Sequence, residues 1–183
     1  SALKRNPDDA HALTVLGFAE LAVLRADAAR PLFEQAIASD PAFPLARLGL
    51  GLAQIRQGDL TGGREQMQTA AALDPTNSLL RSYLGKAYYE EKRSEEAGKE
   101  YATAKALDPS DPTPWLYSAF LKQNDNRPVE ALGDIQESIA LNDRRAVYRS
   151  RLLLDEDLAV RSADLSQVYN QLGFDQLGLV TAR

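Results

Sequence analysis

A few stretches of this 183-residue chain gather the side chains that chemistry needs. Asp155, Glu156 and Asp157 stand beside Arg149 and Arg151. Paired carboxylates can exchange protons or hold a hard cation. Neighbours in sequence do not share one helical face, however, and no glycine-centred calcium loop accompanies these three, so a solvated turn or ion-pair cluster is expected. The run YEEKRSEE at 89–96 reads as a charged turn for the same reason. GDLTGG at 58–63 has the glycines of a phosphate loop but not its Lys-Ser/Thr pair, and reads as a turn between helices. The single histidine, His11, removes most histidine-based metal sites and weakens any catalytic triad; it is expected at the surface. Without cysteine there is no thiolate chemistry and no disulfide framework, which leaves the redox compartment open. No catalytic, cofactor-binding or metal-binding residue is expected, and no enzyme activity in this segment.

The elements that would position such groups say more. Apolar residues make up 44% of the chain, enough for a sizeable core. The apolar runs are far too short to span a bilayer, so no direct membrane insertion is expected. The balance of 21 basic against 26 acidic residues, net −5, offers no basic stripe, and nucleic acid is not an expected partner.

A 34-residue period organises the chain. Pro7, Pro41, Pro75 and Pro109 are spaced by 34, the last two inside identical ALDP phrases at 72–75 and 106–109. A unit of that length holds two helices and two turns. Each proline ends a helix, because it lacks an amide hydrogen and disfavours helical geometry in the residue before it. Asp9, Asn77 and Asp111, two residues later, suit the N-cap of the next helix. Pro44 and Pro112 suit a first helical turn. Phe43 is a poor cap, so that junction should rely on packing. Small residues recur at 17, 51, 85 and 119 and at 29, 63, 97 and 131, where two helices must approach closely. Phe33, Met67, Tyr101 and Ile135 recur at the positions that fill the space between units.

The pattern Leu84, Gly85, Tyr88, then Ala97, Tyr101, then Pro109, repeated in variant form four times over 10–145, resembles the tetratricopeptide repeat. The resemblance implies an all-α fold, an α-solenoid of stacked antiparallel helix pairs wound as a right-handed superhelix. The expected units are 10–43, 44–77, 78–111 and 112–145. Residues 1–9 read as the tail of a preceding second helix, 146–158 as an irregular insertion, and 159–183 as a partial fifth unit, so the sequence reads as part of a longer array. Composition rich in Ala, Leu and Arg looks bacterial, with cytoplasm and periplasm both open.

The resemblance also implies a concave groove lined by first helices, and hence a protein or peptide partner. Its offsets give Phe18 and Leu21 in the first unit, and Leu45, Leu48, Leu52, Ile55 and Arg56 in the second. The third gives Lys86, Tyr89 and Glu90, and the fourth Leu116, Phe120 and Gln123. Leu45, Leu48, Leu52 and Ile55, spaced 3, 4 and 3, form one apolar stripe on a helix whose other side is also apolar. Left in water, the four would forfeit up to about 6–12 kcal/mol. Three coverings are open: a partner's helix or apolar peptide, a second copy of the chain, or the chain's own curvature and its 146–158 segment. Family members that clamp a chaperone's C-terminal carboxylate use several Lys, Arg and Asn residues across adjacent first helices. Only Lys86 and Arg56 stand at suitable offsets here, which argues against that role. The rival to a peptide-binding scaffold is a structural spacer or self-association segment with no foreign ligand.

Overall fold

The computed structural model describes residues 9–144. The expected tail (except Asp9), the 146–158 insertion, the partial fifth unit and the Asp155–Asp157 cluster lie outside the described residues. Among the described residues eight helices run in order: α1 (Ala10–Ala22), α2 (Ala26–Ser39), α3 (Pro44–Arg56), α4 (Leu60–Leu73), α5 (Ser78–Glu90), α6 (Ser94–Leu107), α7 (Pro112–Asn124) and α8 (Pro128–Arg144). They pack as antiparallel pairs, α1 with α2 through α7 with α8, in the all-α solenoid that the sequence implied.

Local chemistry sets the boundaries. The Asp9 carboxylate accepts from the His11 and Ala12 amides, the Asn77 carbonyl from Leu79 and Leu80, and the Asp111 carboxylate from Thr113. Each supplies an acceptor to amides that have no partner within the helix. Phe43 makes no capping bond; its ring stacks on His11 instead, centroids 4.3 Å apart. His11 is exposed on its other side.

The turn inside each pair closes the same way four times. The amides of Arg25, Asp59, Arg93 and Arg127 donate to the carbonyls of Glu20, Gln54, Tyr88 and Lys122, five residues back. This closure requires a left-handed residue just before it. Leu24, Gly58, Lys92 and Asn126 fill that position with φ of 62°, 91°, 63° and 58°. Only Gly58 adopts it without the steric cost of a Cβ.

Inside each pair a small residue faces a large one. A Cβ on Gly17 would lie 2.7 Å from the Phe33 ring, one on Gly85 2.5 Å from the Tyr101 ring, and one on Gly51 2.7 Å from the Gly63 carbonyl and 3.0 Å from Met67. In the fourth pair the small partner is Ala119, opposite the buried Ile135. Phe33, Met67, Tyr101 and Ile135 are all essentially inaccessible to solvent. Phe33 also reaches forward: a Cβ on Gly49 would overlap its ring. Thus α2, α4 and α6 each pack against their own partner and against the first helix of the next pair.

Two outcomes test this account. Leu24→Gly, at a side chain 78% exposed, should stabilise the protein by about 0.5–1 kcal/mol in urea unfolding, because it removes left-handed strain and loses little burial. Gly85→Leu should cost roughly 1–3 kcal/mol and Tyr101→Ala roughly 3–5 kcal/mol. Together they should cost less than the sum, since the added side chain enters the space the ring vacates.

Candidate functional site

The first helices of adjacent pairs, α1, α3, α5 and α7, touch one another along the chain, whereas the second helices scarcely do. The odd-numbered layer therefore lies on the inside of the curve, and its inward residues form the candidate groove. Its make-up follows the position within each helix. One place, held by Thr14, Leu48, Ser82 and Leu116, is buried in all four. It sits in the seam between neighbouring first helices and forms a closed floor. Phe18 and Leu52, and Lys86 and Phe120 at the same place further on, range from buried to half-buried. Leu21 is fully buried, whereas its counterparts Ile55, Tyr89 and Gln123 are half-buried. Arg56 and Glu90 are exposed at the rim, and Leu45 is 37% exposed at the opposite end of its helix.

The apolar stripe of α3 is thus largely covered from within. Leu48 is 0% and Leu52 8% exposed, and both join a core cluster with Phe18, Leu21 and Leu80. The reason is curvature: α1 and α5 close over the two seams beside α3. Of the third unit, Leu79, 34 positions after Leu45, also stands half-buried on the inner face as a wall residue.

Both groove cations are engaged within the chain. The Arg56 guanidinium donates to the Leu21 carbonyl at 2.6 Å, which ties the end of α3 to the end of α1. The Lys86 ammonium lies 4.8 Å from the Tyr117 ring centroid. Burial, with the Glu90 charge beside it, raises the Tyr89 hydroxyl pKa, so that residue stays neutral at physiological pH. Gln123 Nε2 is enclosed and has no hydrogen-bond partner.

A polar cluster between the third and fourth pairs escaped sequence reasoning. Asp134, 5% exposed, accepts from Ser118 at 2.6 Å and pairs with Lys122 at 2.7 Å and Lys105 at 3.2 Å. The Lys105 ammonium also lies 4.0 Å from the Trp115 ring centroid. Burial lowers the Lys105 pKa, opposed by the Asp134 charge. The repeat explains the arrangement. Arg47 bonds Gln66 at 2.9 Å and Arg81 pairs with Glu100 at 3.2 Å, each from first helix to second. At the same two places the fourth unit has Trp115 and Asp134. With no arginine opposite it, Asp134 is neutralised by lysines from α6 and α7, and so links two units where Glu100 links one. The 34-residue spacing contained this signal, in the substitution of Trp115 for the arginine.

The charged run at 89–96 spans the turn between α5 and α6, and three of its four carboxylates are paired: Glu91 with Arg64 at 2.9 Å, Glu96 with Arg93 and Glu95 with Lys99 at 2.5 Å each. GDLTGG turns from α3 into α4, with Asp59 capping Gly62 at 2.9 Å. Among the described residues no group of three or more His, Cys, Asp or Glu could hold a metal ion, and no helix is long and apolar enough to cross a membrane.

Sequence profiles described as tetratricopeptide repeat match residues 14–78 and, overlapping them, 55–117. The chain belongs to the tetratricopeptide repeat family. Similar solved structures share the fold. The Cut9–Hcn1 hetero-tetramer of the APC/C matches with a TM-score of 0.84 at 20% identity over 98% of this chain, which spans only 33% of that one. TTC0263, a thermophilic tetratricopeptide protein of Thermus thermophilus, matches with 0.80 at 20% identity, covering 94% of this chain and 87% of that one. YrrB, a tetratricopeptide protein with an unusual peptide-binding site, matches with 0.59 at 16% identity, covering 98% and 86%. A search of curated proteins finds no match. Tetratricopeptide domains are in general protein–protein interaction modules and non-enzymatic scaffolds.

Removing the Asp134 carboxylate leaves two lysines facing one another without it. Asp134→Ala should therefore destabilise the protein by about 1–3 kcal/mol in chemical unfolding. Lys105→Met should cost much less, because Lys122 and Ser118 still serve the carboxylate and an unfavourably buried charge is gone.

Proposed function

We propose that this tetratricopeptide domain is a non-enzymatic scaffold that holds an extended peptide segment of a partner protein along its inner face. The closed floor, with Leu48 and Leu116 at its centre, acts as a rigid base. Contact is made by the walls: Leu45, Ile55, Tyr89 and Phe120 supply half-exposed apolar and aromatic surface, and Arg56 and Glu90 supply charge at the rim. The observation that carries this reading is the half-buried apolar and aromatic surface that Ile55, Tyr89 and Phe120 leave open on the inner face of successive first helices. Walls of mixed character fit a peptide that alternates apolar and polar side chains better than a wholly apolar helix. Phe18, Leu21, Leu48, Leu52 and Leu116 then act by shaping the floor.

The burial of Leu48 and Leu52 favours the alternative, a spacer or self-association segment with no foreign ligand, because it removes most of the demand for a covering partner.

Panning a random peptide display library against the purified domain separates the two. The peptide-binding reading predicts enrichment of sequences with spaced apolar residues. Ile55→Glu combined with Phe120→Glu should weaken their binding by about tenfold or more, the scale of a lost apolar anchor, with helicity retained. No enrichment, or equal binding by the double variant, would favour the spacer.

A further inference from the structure

The first helices present their inner side chains at a fixed interval. Helices that touch, as α3, α5 and α7 do in turn, lie about 8–10 Å apart between axes. Each contributes a half-buried apolar or aromatic residue to the inner face: Ile55 from α3, Tyr89 from α5 and Phe120 from α7. A ligand that crosses all three must show an apolar side chain on one side once per interval. A β-strand shows one every second residue, at about 6.6–6.8 Å, and again only at about 13 Å. A polyproline II segment shows one every third residue, at about 9.3 Å. An α-helix nears the interval only every seventh residue, at about 10.5 Å, and would press the rest of its apolar stripe against Lys86. The interval of the groove is that of polyproline II.

The chemistry of the walls agrees. Polyproline II segments dock on aromatic-lined grooves, and their preformed backbone lowers the entropy lost on binding. Tyr89 and Phe120 supply aromatic surface on adjacent helices. In each turn of such a ligand one of the two flanking residues faces the rim. There Arg56 follows Ile55, Glu90 follows Tyr89, and both are exposed. The Leu21 carbonyl takes one N–H group of Arg56, and the guanidinium has five. The complement in charge is an acidic residue at α3 and a basic residue, three positions on, at α5. We propose that the segment held on the inner face is proline-rich, in polyproline II form, with the pattern apolar–acidic–Pro–apolar–basic–Pro–apolar in one chain direction or the other. This rests on the peptide-binding reading and adds the conformation, period and charge of the ligand.

Fluorescence anisotropy with dye-labelled synthetic peptides and the full chain tests this. Leu-Glu-Pro-Leu-Lys-Pro-Leu carries the pattern, and Leu-Glu-Leu-Lys-Leu-Pro-Pro holds the same residues with leucine at every second place; each is made in both chain directions. The first should bind saturably in one direction, about tenfold or more tighter than the second, the scale of a misplaced apolar anchor. Glu90→Lys should weaken that binding by about threefold to tenfold, and a peptide with glutamate in place of its lysine should recover it. Equal or tighter binding of the second peptide, or no recovery by the exchanged peptide, would overturn the proposal and leave the peptide-binding reading standing. So would enrichment, in the display panning, of sequences that bind while neither designed peptide does. No enrichment and no binding by any peptide would overturn both.

Discussion

The close approach of the two helices in each pair is the constraint on which the rest of the structure depends. A large side chain from the second helix occupies the space left by glycine or alanine on the first: Phe33 against Gly17, Met67 by Gly51, Tyr101 against Gly85, Ile135 with Ala119. The pairing is graded. A flat ring lies against bare backbone, the adaptable Met67 tolerates Gly51 and Gly63 together, and the smaller Ile135 permits a methyl on its partner. Because Phe33 and Tyr101 also meet the next first helix, at Gly49 and Tyr117, one side chain there fixes both the angle within a pair and the step between pairs. Stability in such an array is close to a sum of units and nearest-neighbour interfaces. The Asp134 cluster is one of the polar links that tie a unit to the next, as are the Arg56–Leu21 bond and the Arg64–Glu91 pair.

That step also decides what the inner face can be. Once α1, α3, α5 and α7 are drawn together, the inward residue at the middle of each helix falls into a seam and is lost to solvent. Leucine there holds the array together, and only residues one turn away remain available to a ligand. The groove is consequently less apolar than its sequence suggests. It combines a dry floor with aromatic, aliphatic and charged walls, a surface suited to recognising a segment by its pattern of side chains.

Much of the fold was legible because its signals are local. Proline spacing, the caps Asp9, Asn77 and Asp111, and the small–large alternation each concern residues in one turn or one unit. The poor cap at Phe43 was equally legible, although its stacking on His11, 32 residues earlier in the sequence, was not. The groove was legible only as a set of helix positions. Periodicity along α3 groups Leu45, Leu48, Leu52 and Ile55 on one stripe but cannot tell which of them a neighbouring helix covers, and that depends on curvature. The Asp134 cluster was legible only as a break in the period, Trp115 in place of arginine; which cations answer it was not, because they come from 12 and 29 residues away, on two other helices. Left-handed Leu24 was hidden because three of the four turns use a residue other than glycine there.

The central claim is that a 34-residue brick, defined by its small–large contact, is the unit of both folding and assembly. Excision of one whole period tests it most directly. Removing residues 78–111 joins Asn77 to Pro112, places α4 on α7 and sets Met67 against Tyr117 in place of Tyr83, an equivalent partner. Circular dichroism with urea unfolding should show a helical, cooperatively unfolding protein of lower midpoint, whereas removing the half-period 78–94 should leave an unfolded or non-cooperative chain. If both deletions behave alike, the brick is not the unit and the account fails.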